Sequence, residues 1–195
     1  MIRSISLITS ICLASFLLVS CVTSEKQPSP VAPSLASCVL LLGGGGQVFP
    51  DTKIANTWFK INSKVATELT ANLKLKGYRI EPLIIDIRNE QERFVALFEA
   101  MNRTSCDKVI QVSHKFSGEP ETPNLIHYFT FEVSVLKIAK RIPVATGMSY
   151  ALASEYQNDY RFPMTSEVMD ALSLSDLAAK MANGIQQAKI IDRYR

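Results

Sequence analysis

The chain has 195 residues, of which 47% are hydrophobic and 20% are charged, a composition typical of a protein with an ordinary apolar core. Its 21 lysines and arginines stand against 18 acidic residues, a net charge of +3. Because no block of basic residues accompanies this small excess, the charge gives no support for a nucleic-acid partner.

The beginning of the chain has the layout of a secretory signal peptide. Arg3 is followed by an apolar run from Ile5 to Val19, and then by Ser20 and Cys21. The run is shorter than the about 20 apolar residues that span a bilayer, and serine and threonine interrupt it. These features favour a cleaved leader over a transmembrane helix. A cleaved leader without lipid is the other alternative.

The end of the leader, Leu18-Val19-Ser20-Cys21, resembles the lipobox of bacterial lipoproteins. In that family the peptide before the cysteine is removed and lipid, including palmitate, is attached, so the resemblance implies that Cys21 is lipidated. Two or three acyl chains would anchor the chain stably, since each buried methylene contributes about 0.8 kcal/mol. Val22 stands where an inner-membrane retention signal has aspartate. The resemblance therefore implies an outer-membrane anchor facing the periplasm, or the outer face of the only membrane in a Gram-positive cell.

Three segments follow from these patterns: a signal peptide over residues 1–20, a lipidated cysteine with a tether over 21–37, and one globular domain over 38–195. The tether contains three prolines and four serines, which predicts extended chain without a core of its own. At about 3.1 Å per residue its reach is at most roughly 50 Å. The domain is large enough to bury about two-thirds of its unfolded surface.

Two cysteines, Cys38 and Cys106, remain in the domain once Cys12 leaves with the leader and Cys21 carries lipid. Each stands at the start of an apolar strand, so parallel neighbouring strands would bring both sulfurs to the same end of the sheet. Outside the cytosol such a pair can persist as a disulfide. We therefore predict a disulfide between them, with two separate buried thiols as the alternative.

The first elements of the domain are a buried strand, a helix and an edge strand. The apolar run Val39–Leu42 predicts a strand covered on both faces. Apolar residues at helical spacing from Ile54 to Leu73 predict the first helix. Tyr78–Ile87 is predicted as the second strand, at a sheet edge because Pro82 cannot donate to a ladder.

A second helix and two strands are predicted next. Asn89 and Glu92 resemble a capping pair at the start of that helix. Val109–Phe116 is the third strand, and the alternation of apolar with mostly polar residues over Leu125–Lys137 predicts a long fourth strand.

The last part of the chain is predicted to hold one more strand and two helices. Lys140-Arg141 predicts a turn, Val144–Ala153 an antiparallel fifth strand, and Asn158–Pro163 an irregular segment. Helices are predicted over Thr165–Leu172 and Ser175–Ile191. The sequence therefore predicts an α/β fold with a mixed sheet of about five strands and helices packed on it. Right-handed crossovers would place the first strand between the second and third.

Two further motifs are weak candidates for binding sites. The Gly43–Gly46 run lies between a strand and a helix, where backbone amides can hold a phosphate or carboxylate, but a flexible connection is favoured because no nucleotide-binding motif follows. His114 and His127 could face each other across adjacent strands and bind a metal transiently or sense pH, although ordinary sheet packing is favoured. We predict no catalytic residue, metal site or cofactor.

Tyr156, Tyr160, Arg161 and Phe162 form an aromatic and basic stretch in the segment predicted as a loop, and such residues are frequent at binding hot spots. Burial of the rings is the alternative. With the anchor, this stretch predicts a noncatalytic adaptor that binds another envelope component, in a layout similar to that of periplasmic adaptor lipoproteins. A carrier of lipid or another apolar ligand, with a cavity beneath the Phe129 and Phe131 face, and an envelope hydrolase are the alternatives.

Overall fold

The computed structural model describes residues 38–46, 51–86, 90–117, 128–145 and 147–193. The lipobox with Cys21, the tether, the predicted helix cap Asn89 and His127 lie outside the described residues. Within the described ranges, no helix combines the length and apolar character needed to cross a membrane.

The described residues form five strands and four helices that confirm the predicted α/β fold. In chain order they are β1 (Val39–Gly43), α1 (Thr52–Leu75), β2 (Ile80–Ile84), α2 (Glu90–Thr104), β3 (Lys108–Ser117), β4 (Tyr128–Val144), β5 (Gly147–Pro163), α3 (Ser166–Ala171) and α4 (Leu174–Ala188). One mixed sheet has the order β2-β1-β3-β4-β5, with β1 parallel to β2 and β3 and the later pairs antiparallel. The predicted place of the first strand is confirmed.

The sheet separates two apolar cores, and β1 contributes to both. Val39 and Leu41 pack with α1 and α4 on one face, which we call the α4 face. Leu40 and Leu42 pack with α2 on the other, the α2 face. Side chains alternate across a strand, so a continuous apolar run fits a strand that is buried on both sides.

Helix α1 follows the predicted apolar stripe. Asp51 caps its first turn by accepting a hydrogen bond from the Ile54 backbone N–H at 2.9 Å. Trp58 and Leu69 are among the buried residues of the stripe. The helix ends two residues before Gly77, whose φ of +83° lies in the left-handed region that glycine favours.

Strand β2 lies at a sheet edge, as Pro82 predicts, but it is shorter than the predicted segment. The Tyr78 N–H donates to the Leu73 carbonyl at 3.2 Å, so this backbone group closes the end of α1 instead of joining the sheet ladder. The buried Tyr78 ring packs in the core of the α4 face.

Strands β4 and β5 form one long hairpin, and here several predictions are wrong. β4 continues through Lys140 and Arg141, where a turn was predicted, and β5 includes the predicted irregular segment Asn158–Pro163. Two register shifts explain the difference, because Glu155 on β5 and Ala139 on β4 each add one residue to the ladder. Such bulges interrupt the strict alternation by which strands are recognised in a sequence.

The last two helices confirm the prediction and explain an unfavourable residue. Gly184 lies inside α4, where glycine costs about 1 kcal/mol relative to alanine. A Cβ at this position would lie 2.5 Å from the Tyr156 hydroxyl oxygen. The glycine therefore allows α4 to approach β5 closely.

A disulfide joins Cys38 and Cys106, which confirms the predicted pair. Both residues precede parallel neighbouring strands, and their Cα atoms are 4.4 Å apart. The bond fixes the point at which the chain enters the domain to the start of β3.

Candidate functional site

The glycine run lies at the carboxyl end of β1, beside the point where the strand order reverses between β1 and β3. Ligands often bind at such a point in α/β sheets. Here the fully buried Asn62 of α1 holds the loop: its Oδ1 accepts from the Gly44 N–H at 2.6 Å, and its Nδ2 donates to the Gly45 carbonyl at 2.9 Å. Gly44 and Gly45 are thus fixed by hydrogen bonds, where the sequence favoured a flexible connection.

Side chains of the domain fill the space around this loop. The Arg93 guanidinium lies against Gly45 and the His114 ring against Gly46, so neither position has room for a Cβ. Among the described residues, protein side chains thus occupy this space, and one of them is a cation. The anion site at Gly43–Gly46 stays a prediction.

His114 is a packed core side chain. Its ring stacks on Trp58 with 5.1 Å between the centroids, and the side chain lies opposite Phe131 in the ladder. Burial lowers the pKa of His114 to about 4, and the nearby charge of Arg93 contributes in the same direction. The imidazole is therefore neutral near pH 7. This environment agrees with the packing interpretation of His114, and the residues described contain no cluster of three metal-ligating side chains.

The sheet face considered for an apolar ligand is filled by aromatic rings. Phe129 and Phe131 are fully buried. Trp58 packs against Phe116 at 4.7 Å and against Phe129 at 5.5 Å between ring centroids. Aromatic packing of this kind indicates a closely packed core on the α4 face of the sheet.

The aromatic and basic stretch lies on strand β5, so its predicted placement in a loop is wrong. Tyr156, Tyr160 and Phe162 point to the α4 face and are half-buried against its core. Arg161 points to the opposite face, where its guanidinium carbon stacks 3.8 Å above the centre of the Tyr128 ring. The strand therefore separates the rings from the guanidinium instead of gathering them on one surface.

A hollow of about 360 Å³ lies between the end of β5 and helices α3 and α4. This volume falls within the range of about 300 to 1,000 Å³ that is usual for ligand pockets. Strand β5 contributes Tyr160, Arg161 and Phe162 to the lining, and the helical part contributes Leu172, Asp176 and Lys180. Aromatic residues and charged residues of both signs thus line one hollow, which makes it the candidate binding site.

Both α4 and β5 contribute polar groups to the hollow. Ser173 caps α4 by accepting from the Asp176 N–H at 3.2 Å, which orients the first turn beside β5. Burial raises the pKa of Tyr160, so its hydroxyl stays protonated near pH 7. Asp176 and Lys180 were not identified as site residues from the sequence. The capping pattern from Ser173 to Asp176 was the available signal, but it marks a helix start and not a contact with β5.

Ion pairs connect β5 to the neighbouring strands on both faces of the sheet. Lys115 donates to Glu132 at 3.1 Å and to Asp159 at 3.0 Å, and these hydrogen bonds raise the pKa of Lys115. At the β5 bulge, Glu155 accepts from Lys108 at 2.7 Å, which with a second ion pair keeps the pKa of this carboxyl low. Cross-strand pairs of opposite charge favour one register of the hairpin.

Comparisons with known proteins give a resemblance of fold only. No family model matches the chain, and no curated protein matches it. A PelC dodecamer from Paraburkholderia phytofirmans has a TM-score of 0.37 at 9% identity, over 79% of this chain and 89% of that one. A putative neuraminyllactose-binding hemagglutinin homolog from Helicobacter pylori gives 0.37 at 9% identity, over 78% and 84%. The hypothetical protein CT253 from Chlamydia trachomatis gives 0.36 at 9%, over 78% and 91%. Scores this low carry no argument about function.

Proposed function

We propose that this protein is a lipid-anchored, noncatalytic binding module of the cell envelope, which holds its α/β domain near the membrane to contact another envelope component. The observation that carries this proposal is the disulfide between Cys38 and Cys106. Disulfides persist in compartments outside the cytosol, and the lipobox-like leader that ends at Cys21 addresses a protein there.

The anchor supplies the mechanism. A chain held by lipid on Cys21 searches only a thin layer above the membrane, so the effective concentration of the domain toward envelope partners is high. Modest contacts are then sufficient for binding. Val22 after the cysteine supports the outer membrane, facing the periplasm, as the place of attachment.

The hollow beside the end of β5 is the proposed contact surface. Tyr160 and Phe162 give it aromatic area, and Asp176 and Lys180 each give it one charge, of opposite sign. Tyrosine is enriched where a few residues supply most of the binding energy. A partner segment with an apolar side chain and a carboxylate fits this combination.

A binding role agrees with the chemistry of the described residues better than hydrolysis does. His114 is buried on Trp58 and has a pKa of about 4, so it is a poor general base for a substrate in solvent. The packed Phe129 and Phe131 face likewise gives no support to an apolar carrier.

Photo-crosslinking in intact cells tests the contact surface. A photoreactive amino acid at Ala171, an exposed residue in the lining of the hollow, should capture one specific envelope protein. Ala71, an exposed alanine on α1, is the matched control and should not capture it. Capture of the same abundant neighbours from both positions would refute the proposed surface.

The anchor is tested separately. A Cys21→Ser variant should lose incorporation of a palmitate analogue and leave the membrane fraction. A wild-type protein that begins at Met1, or that leaves the membrane with an unmodified thiol at Cys21, would refute this part of the proposal.

A further inference from the structure

Strand β5 is an open edge of the described sheet. It pairs with β4 on one side, and among the described residues no strand pairs with its other side. Its last eight residues, Tyr156 to Pro163, follow β4 without a register shift, from the Glu155 bulge to the end of the strand. A regular unpaired edge is a template on which another strand can add.

The side chains of this edge segment divide cleanly between the two faces. Asp159 and Arg161 lie opposite Glu132 and Thr130 of β4 on the α2 face. Tyr160, between them in sequence, lies on the α4 face and lines the hollow. Two opposite charges therefore flank one aromatic residue along the edge.

We infer that this edge pairs with a second copy of the chain, antiparallel, around a two-fold axis at Tyr160. Such an axis is perpendicular to the sheet and keeps every residue on its own face, so Asp159 faces Arg161 of the second copy. By symmetry Arg161 faces Asp159 of the second copy. Both charged positions then form opposite-charge cross-strand pairs, which stabilise a sheet.

The charges select this register over its neighbours. With the axis moved to Asp159, this carboxylate would face the Asp159 carboxylate of the second copy. With the axis moved to Arg161, two guanidinium groups would face each other. Like charges directly opposite destabilise paired strands, so the axis at Tyr160 is the register that edge electrostatics favour.

The contacts that these side chains already make are compatible with the pairing. Asp159 is 44% exposed and binds Lys115 through Oδ2, and a carboxylate accepts several hydrogen bonds at once. Arg161 stacks on Tyr128 through the face of its guanidinium, whose N–H groups donate within the plane. Neither side chain must give up its partner to contact the second copy.

The pairing also changes the candidate site. Because the two-fold axis preserves the faces of the sheet, both hollows lie on the α4 face of a continuous ten-stranded sheet. Tyr160 lines the hollow and lies at the axis, so the hollows of the two copies adjoin there. Asp176 and Lys180 from both α4 helices then border one larger groove. The inference does not depend on the lipid anchor or on any partner protein.

Two charge variants test the pairing in the mature full-length chain, purified in detergent. Asp159→Arg and Arg161→Asp each place like charges opposite each other, and each variant should weaken self-association about tenfold or more. An equimolar mixture of the two variants should form a heterodimer with the mass of the wild-type dimer, since their edges carry complementary charges. Light scattering after gel filtration measures the mass. Lys140→Asp, an exposed charge change elsewhere on the hairpin, should leave the dimer intact.

Recovery in the mixture separates lost pairing from lost folding, because two misfolded chains would not recover a dimer. A wild-type chain that stays monomeric at every concentration would overturn the inference, as would a dimer that neither charge variant weakens. A photoreactive residue at Gln157, exposed on the edge, should crosslink to a second copy in cells. Crosslinking to a different protein alone would assign the edge to that partner and also overturn it.

Discussion

The disulfide between Cys38 and Cys106 should supply a large part of the stability of the domain. The bond closes a loop with a sequence separation of 68 residues. In the chain-entropy model, a loop of this length lowers the entropy of the unfolded state enough to stabilise the fold by about 4 kcal/mol. The ordinary total for a domain is only about 5 to 15 kcal/mol, so loss of the bond should be easy to measure.

Urea unfolding measures this contribution directly. A lipid-free mature chain with Cys21→Ser serves as the reference, and Cys38→Ala/Cys106→Ala is introduced into it. The free energy of unfolding should fall by about 4 kcal/mol. The urea dependence should steepen, because an unfolded chain without the crosslink exposes more surface. Reduction of the reference with dithiothreitol should give the same change.

Single variants decide whether loss of the crosslink or loss of local packing lowers the free energy of unfolding. Cys38→Ala and Cys106→Ala each break the same bond, so each should lose about as much stability as the double variant. Additive losses from the single variants would contradict the reasoning, because separate packing contributions would then explain them. A loss below about 1 kcal/mol in the double variant would equally refute a dominant effect on the unfolded state.

Three further predictions concern buried contacts. Asn62→Ala should lower the free energy of unfolding by about 1 to 3 kcal/mol, because the part-buried Gly44 N–H and the buried Gly45 carbonyl lose their partner; urea unfolding measures this loss. Gly184→Ala should lower the thermal midpoint despite the helix propensity of alanine, and adding Tyr156→Phe should restore it, since the clash is with the hydroxyl. His114 has a folded pKa of about 4 against 6.5, so the unfolded state takes up the proton first and stability should fall by about 3 kcal/mol as pH drops from 6.5 to 4. His114→Phe should flatten that part of the pH profile, measured against the wild-type chain.

The parts of the fold that the sequence predicts are those fixed by local chemistry. The apolar run from Val39 needs cover on both faces, and it becomes the strand shared by both cores. Pro82 lacks an N–H and therefore lies on an edge strand. The disulfide follows from two cysteines, Cys38 and Cys106, at similar positions before parallel neighbours. In each case the physical reason lies in the chemistry of one or two residues and of their immediate neighbours in the sequence.

The β4–β5 hairpin could not be predicted in the same way, because its causes are spread over distant residues. Asn158 and Asp159 have the composition of a loop, yet pairing with β4 holds them in a strand. The Glu155 bulge is closed by Lys108, which precedes it by 47 residues. The hollow forms where α4, which carries Lys180, packs beside β5. These two elements come together only in the tertiary structure.

The same bulge connects β5 and the end of α4 to the centre of the sheet. Lys108, at the start of β3, binds the Glu155 carboxylate and also donates to the Ile190 carbonyl just after α4. The Lys108 ammonium group thus links Glu155, which directly precedes the edge segment of β5, to the end of α4, the helix that borders the hollow. Gly184 adds a second point of close approach between α4 and β5. Because none of the residues that make these two contacts lines the hollow, a second strand or a partner can bind there without breaking either of them.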